Sequence, residues 1–246
     1  MIYSKIKLAE KLREIQQTLF PRSCSLCREA LDSKQQTLCS GCIDDLPYNN
    51  NSCLRCAEPL VCTGVCPACQ KDPPNFRLCY TLCLYTDPIS QAIKSIKKKP
   101  FAPETKQLSV LLAKQIKTIY PVDDIPKVII PMPLHPLKIL IRGFNQSLLI
   151  AQFLSARLAN TEVKNNICIR RHFAQAQRLG TRMQRLKILP TAFGVYSQSD
   201  IKGKSVALVD DVVTTGSTAR AATESLLNAG AKSVDLWCIA KTSWHN

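Results

Sequence analysis

The sequence predicts an α/β domain built on a parallel sheet and preceded by a small cysteine-rich domain. Three observations carry that expectation. Uninterrupted apolar stretches, among them Val128-Ile129-Ile130, Val206-Ala207-Leu208-Val209 and residues 234–240, read as strands buried on both faces. Amphipathic helical stretches alternate with them, as right-handed crossovers between parallel strands require. Ahead of both, four Cys-x2-Cys pairs fall within residues 24–69.

A chain of 246 residues with 46% hydrophobic content is large enough for one or two domains with a proper core. No apolar run approaches the roughly 20 residues that span a bilayer. The opening Met1-Ile2-Tyr3-Ser4-Lys5-Ile6-Lys7 has no continuous apolar core of the secretory kind, so a cytoplasmic location is expected. In that compartment the 13 cysteines are reduced, and paired ones argue for metal rather than disulfides. The net charge of +15 is uneven. Residues 1–72 hold 9 Lys/Arg against 8 Asp/Glu, whereas residues 73–246 hold 24 against 10. A polyanionic ligand or partner is therefore expected for the second part.

In chain order, residues 1–20 form the first segment, with Ile6, Leu8, Leu12, Ile15 and Leu19 at mostly helical spacing. This helix is expected to pack on its own protein; peripheral contact with an anionic membrane, at the inner face of the cytoplasmic membrane, is the alternative. Residues 21–72 form the cysteine-rich domain. Cys24, Cys27, Cys39 and Cys42 make one quartet and Cys53, Cys56, Cys66 and Cys69 another, with Cys62 left over. A Cys-x2-Cys turn offers two thiolates to one tetrahedral Zn²⁺, and a second pair closes the site without an open position, so the zinc is structural. Sequential pairing gives a double zinc ribbon; interleaved pairing stays open. Lys71-Asp72-Pro73-Pro74-Asn75 reads as a linker.

The third domain spans residues 73–246. A strand is expected at 78–86 with Cys79 and Cys83 in the core, then helices at 88–97 and 105–119, a strand at 128–130, and a helix from about 147 to 159. Pro131-Met132-Pro133-Leu134-His135-Pro136 is expected as a loop between the last two. A strand near 167–169 precedes an Arg-rich stretch, and the last strand follows a helix at 219–229 that ends at Gly230.

The most informative stretch is Val209-Asp210-Asp211-Val212-Val213-Thr214-Thr215-Gly216-Ser217-Thr218. Two carboxylates end a buried strand, and a hydroxyl-rich turn hinged on Gly216 opens into a helix. Unpaired amides and a positive dipole end suit a helix start to an anion such as phosphate. Paired acids beside a phosphate cradle fit a neutral diol or a bound cation, hence the ribose of a sugar phosphate with Mg²⁺ nearby. An ordinary strand-to-helix turn with Asp capping is the plain alternative. The stretch resembles the phosphoribosyl diphosphate (PRPP) signature of type I phosphoribosyltransferases. The expected ligand residues are Asp210, Asp211, Thr214, Thr215, Gly216, Ser217 and Thr218, with Met132, Pro133, Leu134 and His135 near the diphosphate. Between Lys138 and Lys187 there are ten Lys/Arg and one acid, Glu162. Arg142, Arg170, Arg171, Arg178, Arg182 and Arg185 are the candidates for a diphosphate or a nucleic acid backbone.

Taken together, the cysteine ribbon, Pro131-x-Pro133-Leu134-His135, Arg142-Gly143-Phe144-Asn145-Gln146, the Arg/Gln-rich segment and Val209-Asp210-Asp211-x-x-Thr214-Thr215-Gly216 resemble the ComF family of competence proteins, over nearly all of residues 24–241. The resemblance implies a phosphoribosyltransferase-like domain behind a zinc ribbon. It also implies a role in handling incoming single-stranded DNA during natural transformation, alongside a helicase-like partner and recombination mediators. Two positions depart from the family's usual pattern: Ile188 stands where an Asn is usual, and Lys97-Lys98 where a Lys-aromatic pair is expected. The alternative function is a working phosphoribosyltransferase that moves ribose 5-phosphate from PRPP to a nucleobase or other amine. A third is a docking protein with an inert catalytic-looking domain. Aromatic content of 6% leaves few stacking platforms, so DNA affinity is expected to be mainly electrostatic.

Overall fold

A computed structural model describes residues 23–31, 37–170 and 193–243. The chain divides into two compact units, Met1–Leu46 and Pro47–Asn246. In the first, the turn at Cys24 is closed by the Arg28 amide donating to the Cys24 carbonyl (2.9 Å) and the Cys24 amide donating to Glu29 (2.7 Å). Helix α1 (Ser40–Asp44) follows, with the Cys39 sulfur as its N-cap, accepting from the Cys42 amide. Leu38 and Leu46 are buried.

The second unit opens with the same turn 29 residues later. The Ala57 amide donates to the Cys53 carbonyl and the Cys53 amide to Glu58, each at 2.8 Å. Arg28 and Ala57, one residue past the second cysteine of each pair, both take positive φ, 67° and 59°. Helix α2 (Pro67–Lys71) then begins at Cys66, with Pro67 supplying a preset φ and no wasted N–H.

The main sheet has five strands, β1 (Leu78–Leu84), β2 (Val128–Pro131), β3 (Glu162–Val163), β6 (Ser205–Val213) and β7 (Ser233–Lys241), in the order β1-β7-β6-β2-β3. Every neighbouring pair is parallel. The crossovers carry α3 (Ile89–Lys98), α4 (Pro103–Ile119), α5 (Pro136–Arg142), α6 (Gln146–Ser155) and α7 (Ser217–Asn228). β7 is buried along almost its whole length, as its continuous apolar run demands of a central strand. Its two ionic residues are buried and paired. Asp235 accepts from Arg77 Nε (2.8 Å) and from the Tyr120 hydroxyl (2.7 Å), while Trp237 Nε1 donates to that same hydroxyl at 3.0 Å.

Chain order places the site. From β2 the chain moves outward to β3, then returns on the inner side of β2 as β6 and continues through α7 to β7. The direction of travel reverses between β2 and β6. In open parallel sheets that reversal leaves a crevice beyond the carboxyl ends of the two strands.

Two expectations are corrected, and one helix was not foreseen. The strand near 167–169, expected in the parallel sheet, is β4 (Cys168–Arg170), and it pairs antiparallel with β5 (Phe193–Val195) in a separate two-stranded sheet. The loop expected over 131–136 gives way at Pro136 to α5, which the sequence reading did not foresee: Pro136 sits at its first turn, His135 Nδ1 accepts from the Leu137 amide, and Gly143 closes it at φ 81°. The helix expected to reach 159 stops at Ser155, and the unforeseen two-residue β3 follows. Cys79 and Cys83 are core residues, as expected. The amphipathic stretch at 4–19 lies outside the described residues.

Candidate functional site

At the carboxyl ends of β2 and β6 lies a cavity of about 240 Å³. One wall is Met132, Pro133 and Leu134, which continue from β2; the other is the β6 end from Asp210 to Thr214 with the start of α7. Lys97 at the end of α3, Lys138 and Arg142 of α5, Gln146 of α6 and Arg170 of β4 complete it. Four cations thus face two acids.

The acids are held differently. Asp210 Oδ1 accepts from the Ser147 hydroxyl and from the Asp211 amide, both at 2.9 Å. Burial, and then the charge of Asp211, push its carboxyl up to about 8. Asp211 is buried, accepts the Val212 amide at 3.0 Å, and has Lys97 Nζ 3.0 Å from its other oxygen. Burial pulls the Arg170 guanidinium downward while Asp210 acts in the opposite sense, and its carbon lies 5.6 Å from the Phe193 ring centre.

The turn between β6 and α7 depends on Gly216, which takes φ 75° as the residue before the helix. A side chain there is strained by the backbone alone. The Ser217 amide donates to Thr215 Oγ1 at 3.4 Å, and that hydroxyl donates to Ser217 Oγ at 3.1 Å. Amides and hydroxyls therefore line the helix start, the arrangement that suits a phosphate.

The structure gathers most of the residues named from sequence. Asp210, Asp211, Thr214, Gly216, Ser217, Thr218, Met132, Pro133 and Leu134 line one cavity, joined by Arg142 and Arg170 from the basic set. Thr215 and His135 are not among its lining residues; Thr215 shapes the turn and His135 caps α5. Arg171, Arg178, Arg182 and Arg185 lie outside the described residues. Sequence reasoning passed over Lys97, Lys138, Gln146 and Ser147. Lys97 showed only in the Lys97-Lys98 pair that departs from the family's pattern, and Ser147 as the residue after the Asn-Gln pair. Asn145 explains that pair's place: its Oδ1 caps α6 by accepting the Ser147 amide, and its Nδ2 donates to the Met132 carbonyl at 3.1 Å, tying α6 to the β2 wall.

The eight cysteines fall into sequential quartets, Cys24/Cys27/Cys39/Cys42 and Cys53/Cys56/Cys66/Cys69, with the four sulfurs of each within 4.8 Å of one another. A tetrahedral ion with about 2.3 Å zinc–sulfur bonds needs sulfurs about 3.8 Å apart. Cys27 and Cys39 sulfurs are 3.6 Å apart, and those of Cys56 and Cys66 3.7 Å. Burial raises the Cys24 thiol, but the amides of Cys27, Cys39 and Leu26 outweigh it and bring it down to about 6. Cys53 is likewise brought to about 7, burial being outweighed by the amides of Cys66, Cys56 and Arg55. In each quartet, backbone amides thus favour the thiolate, the form that binds metal, at one sulfur. Both are consistent with closed structural Zn²⁺ sites.

Residues 15–79 match the double zinc ribbon domain family, and residues 145–243 match the phosphoribosyl transferase domain family. Over 225 residues the chain is 31% identical to the DNA utilization protein YhgH of Escherichia coli O157:H7, covering 90% of this chain and 98% of that one. It is also 31% identical over 225 residues to competence protein F of Haemophilus influenzae, covering 89% and 96%. The chain belongs to the ComF family. This ComF protein combines a double zinc ribbon with a phosphoribosyltransferase-like α/β fold. Among solved structures, a purine phosphoribosyltransferase from Pyrococcus horikoshii aligns at 21% identity and a TM-score of 0.35, covering 55% of this chain and 70% of that one. No helix among the described residues is long and apolar enough to cross a membrane.

Proposed function

We propose that this ComF-family protein handles single-stranded DNA during DNA uptake and binds PRPP with Mg²⁺ in the cavity between β2 and β6. The observation that carries the reading is the juxtaposition, in one cavity, of paired acids, a left-handed glycine turn at a helix start, and four cations. The amides of the turn at residues 214–218 hold the 5′-phosphate, and Asp210 and Asp211 take the ribose hydroxyls. Lys97, Lys138, Arg142 and Arg170 face the diphosphate, with Mg²⁺ supplying further positive charge to its oxygens when bound. Ser147 and Lys97 fix the acids before ligand arrives, so their orientation costs little on binding.

The DNA component rests on the family and on the basic excess of residues 73–246. Phosphate contacts from Lys and Arg release counterions and make affinity fall steeply with salt. On this reading the protein works in the cytoplasm, where a strand entering through the membrane meets a helicase-like partner and recombination mediators.

The test is calorimetric titration of Mg²⁺-PRPP and fluorescence titration of labelled single-stranded DNA, on the parent and on Arg142→Gln/Arg170→Gln. The variant should bind PRPP about a hundredfold or more weakly, as loss of two charged hydrogen bonds worth about 1.5–3 kcal/mol each implies. Its DNA salt slope should also flatten by up to about two phosphate contacts. Parent protein that takes up neither ligand sinks the proposal.

A further inference from the structure

The second cysteine quartet reaches the phosphate-binding turn along two arms. The first runs through Glu58, whose backbone closes the Cys53 turn. Its carboxylate oxygen Oε2 lies 2.8 Å from Lys241 Nζ, and its Oε1 accepts from the Ser243 hydroxyl at 3.0 Å. Lys241, at the end of β7, is 1% exposed and Glu58 4%. From there Nζ donates to the carbonyl of Thr214, the first residue after β6, at 2.9 Å, and to that of Thr242 at 2.6 Å. A lysine in the core needs such a partner, and this one spends its charge on the carbonyl that begins the turn.

The second arm leaves α2, which carries Cys66 at its cap and Cys69 within it, and ends at Asp72. There Arg220, in the first turns of α7, donates to the carbonyls of Asp72 (2.9 Å) and Pro73 (3.2 Å). Asn75 Nδ2 returns a bond to the Arg220 carbonyl at 2.9 Å. Phe76 then places its ring beside Gly216, about 3.8 Å from where a side chain would start. Both ends of the turn are thus braced by the segment that the quartet organises.

We propose that Glu58 and Lys241 are positioning residues that couple metal occupancy of the Cys53/Cys56/Cys66/Cys69 quartet to the geometry of the 214–218 turn, so that loss of that metal weakens anion binding. The inference deepens the sugar-phosphate reading and rests on it for the identity of the anion. A closed zinc site fixes the Cys53 turn and α2; without it Glu58 and Asp72 lose their fixed places, and the Thr214 carbonyl loses its donor.

The experiment uses the full-length, metal-loaded chain with Glu58→Gln/Lys241→Met, which removes both charges together, and Glu58→Gln alone, which keeps an oxygen for Lys241. Amide hydrogen exchange across residues 213–219, Mg²⁺-PRPP affinity, zinc content and melting temperature are measured on each. The double variant should keep the parent's zinc content, exchange faster across 213–219, and bind PRPP about tenfold more weakly, the scale of losing one well-placed charged contact. Glu58→Gln alone keeps an oxygen for Lys241 but removes its counter-charge, so it should lower the melting temperature and fall between the parent and the double variant in exchange and PRPP affinity. Stripping zinc from the parent should raise exchange in the same segment. Unchanged exchange across 213–219 in the double variant overturns the coupling. Should the parent bind no PRPP, the sugar-phosphate reading fails while the exchange result still decides this one.

Discussion

Replacing Asp210 with Asn should stabilise the fold above neutral pH and at the same time remove ligand binding. Asn keeps the oxygen that accepts from Ser147 and from the Asp211 amide, so the local hydrogen bonds survive. What disappears is an acid that burial and the Asp211 charge hold up to about 8. In the unfolded chain an aspartate titrates near 3.9. Between those two values unfolding releases a proton, so each step up in pH weakens the folded state. The stabilising difference is whole below about pH 4 and gone above about pH 8. Between pH 6 and 8 the linkage amounts to about 2 kcal/mol, or about 4–8 °C in Tm for a unit of this size. Scanning calorimetry of parent and variant at both pH values isolates the effect, because every other titrating group is shared. The parent should lose several degrees more than Asp210→Asn on going from pH 6 to pH 8. Parallel pH profiles for the two proteins would refute the assignment of a raised carboxyl at the end of β6.

Other expectations follow from single contacts. Gly216→Ala meets no atom closer than 3.8 Å but must hold φ 75°, so it should cost about 1–2 kcal/mol and lower PRPP affinity; a variant that melts and binds like the parent removes the left-handed turn from the argument. Metal released by thiol modification should amount to two zinc ions per chain, and Cys56→Ser should release one fewer; no difference between the two would count against the Cys53 quartet as a site. Asp235→Asn leaves Arg77 and Tyr120 with a neutral partner in the core, and because Arg77 is itself 43% exposed the loss should be about 2 kcal/mol, read as a lower urea midpoint with unchanged slope.

Much of the architecture was legible because strands buried on both faces leave an unbroken apolar signature. Val206 to Val209 and Val234 to Ala240 are core residues of adjacent central strands, apart from Asp235, whose charge is matched by Arg77. What escaped lacked that signature. β3 is two residues long and includes an exposed glutamate, and β4 with β5 forms a short antiparallel pair around a segment outside the described residues. α5 went unread between the expected loop at 131–136 and the helix after Ser147, although a proline at a first helical position such as Pro136 supplies the right φ and forgoes only an N–H that had no partner. Among site residues, Asp210, Asp211 and the Gly216 turn were visible because acids and a glycine interrupt apolar sequence there. Lys97 and Ser147 were not, since their roles come from α3 and α6 reaching the sheet end, which no local pattern encodes.

The proposed reading asks one protein to serve both a sugar phosphate and a nucleic acid. Arg142 and Arg170 were named from sequence as contacts for a diphosphate or a nucleic acid backbone, and both line the cavity that also holds Asp210 and Asp211. A guanidinium does not distinguish a diphosphate from a DNA phosphodiester by charge alone, since both present oxygens in the same fork geometry. Discrimination must come from the groups opposite. Asp211 is paired with Lys97 and the buried Asp210 carboxyl is held up to about 8, so the acids select through hydrogen bonds to hydroxyls rather than by repulsion, which favours a ribose with its 2′ and 3′ hydroxyls over deoxyribose phosphate, which lacks the first and esterifies the second. On the proposed reading, DNA that uses the same arginines belongs at the cavity rim, away from the paired acids, with those acids as the selectivity element of the site.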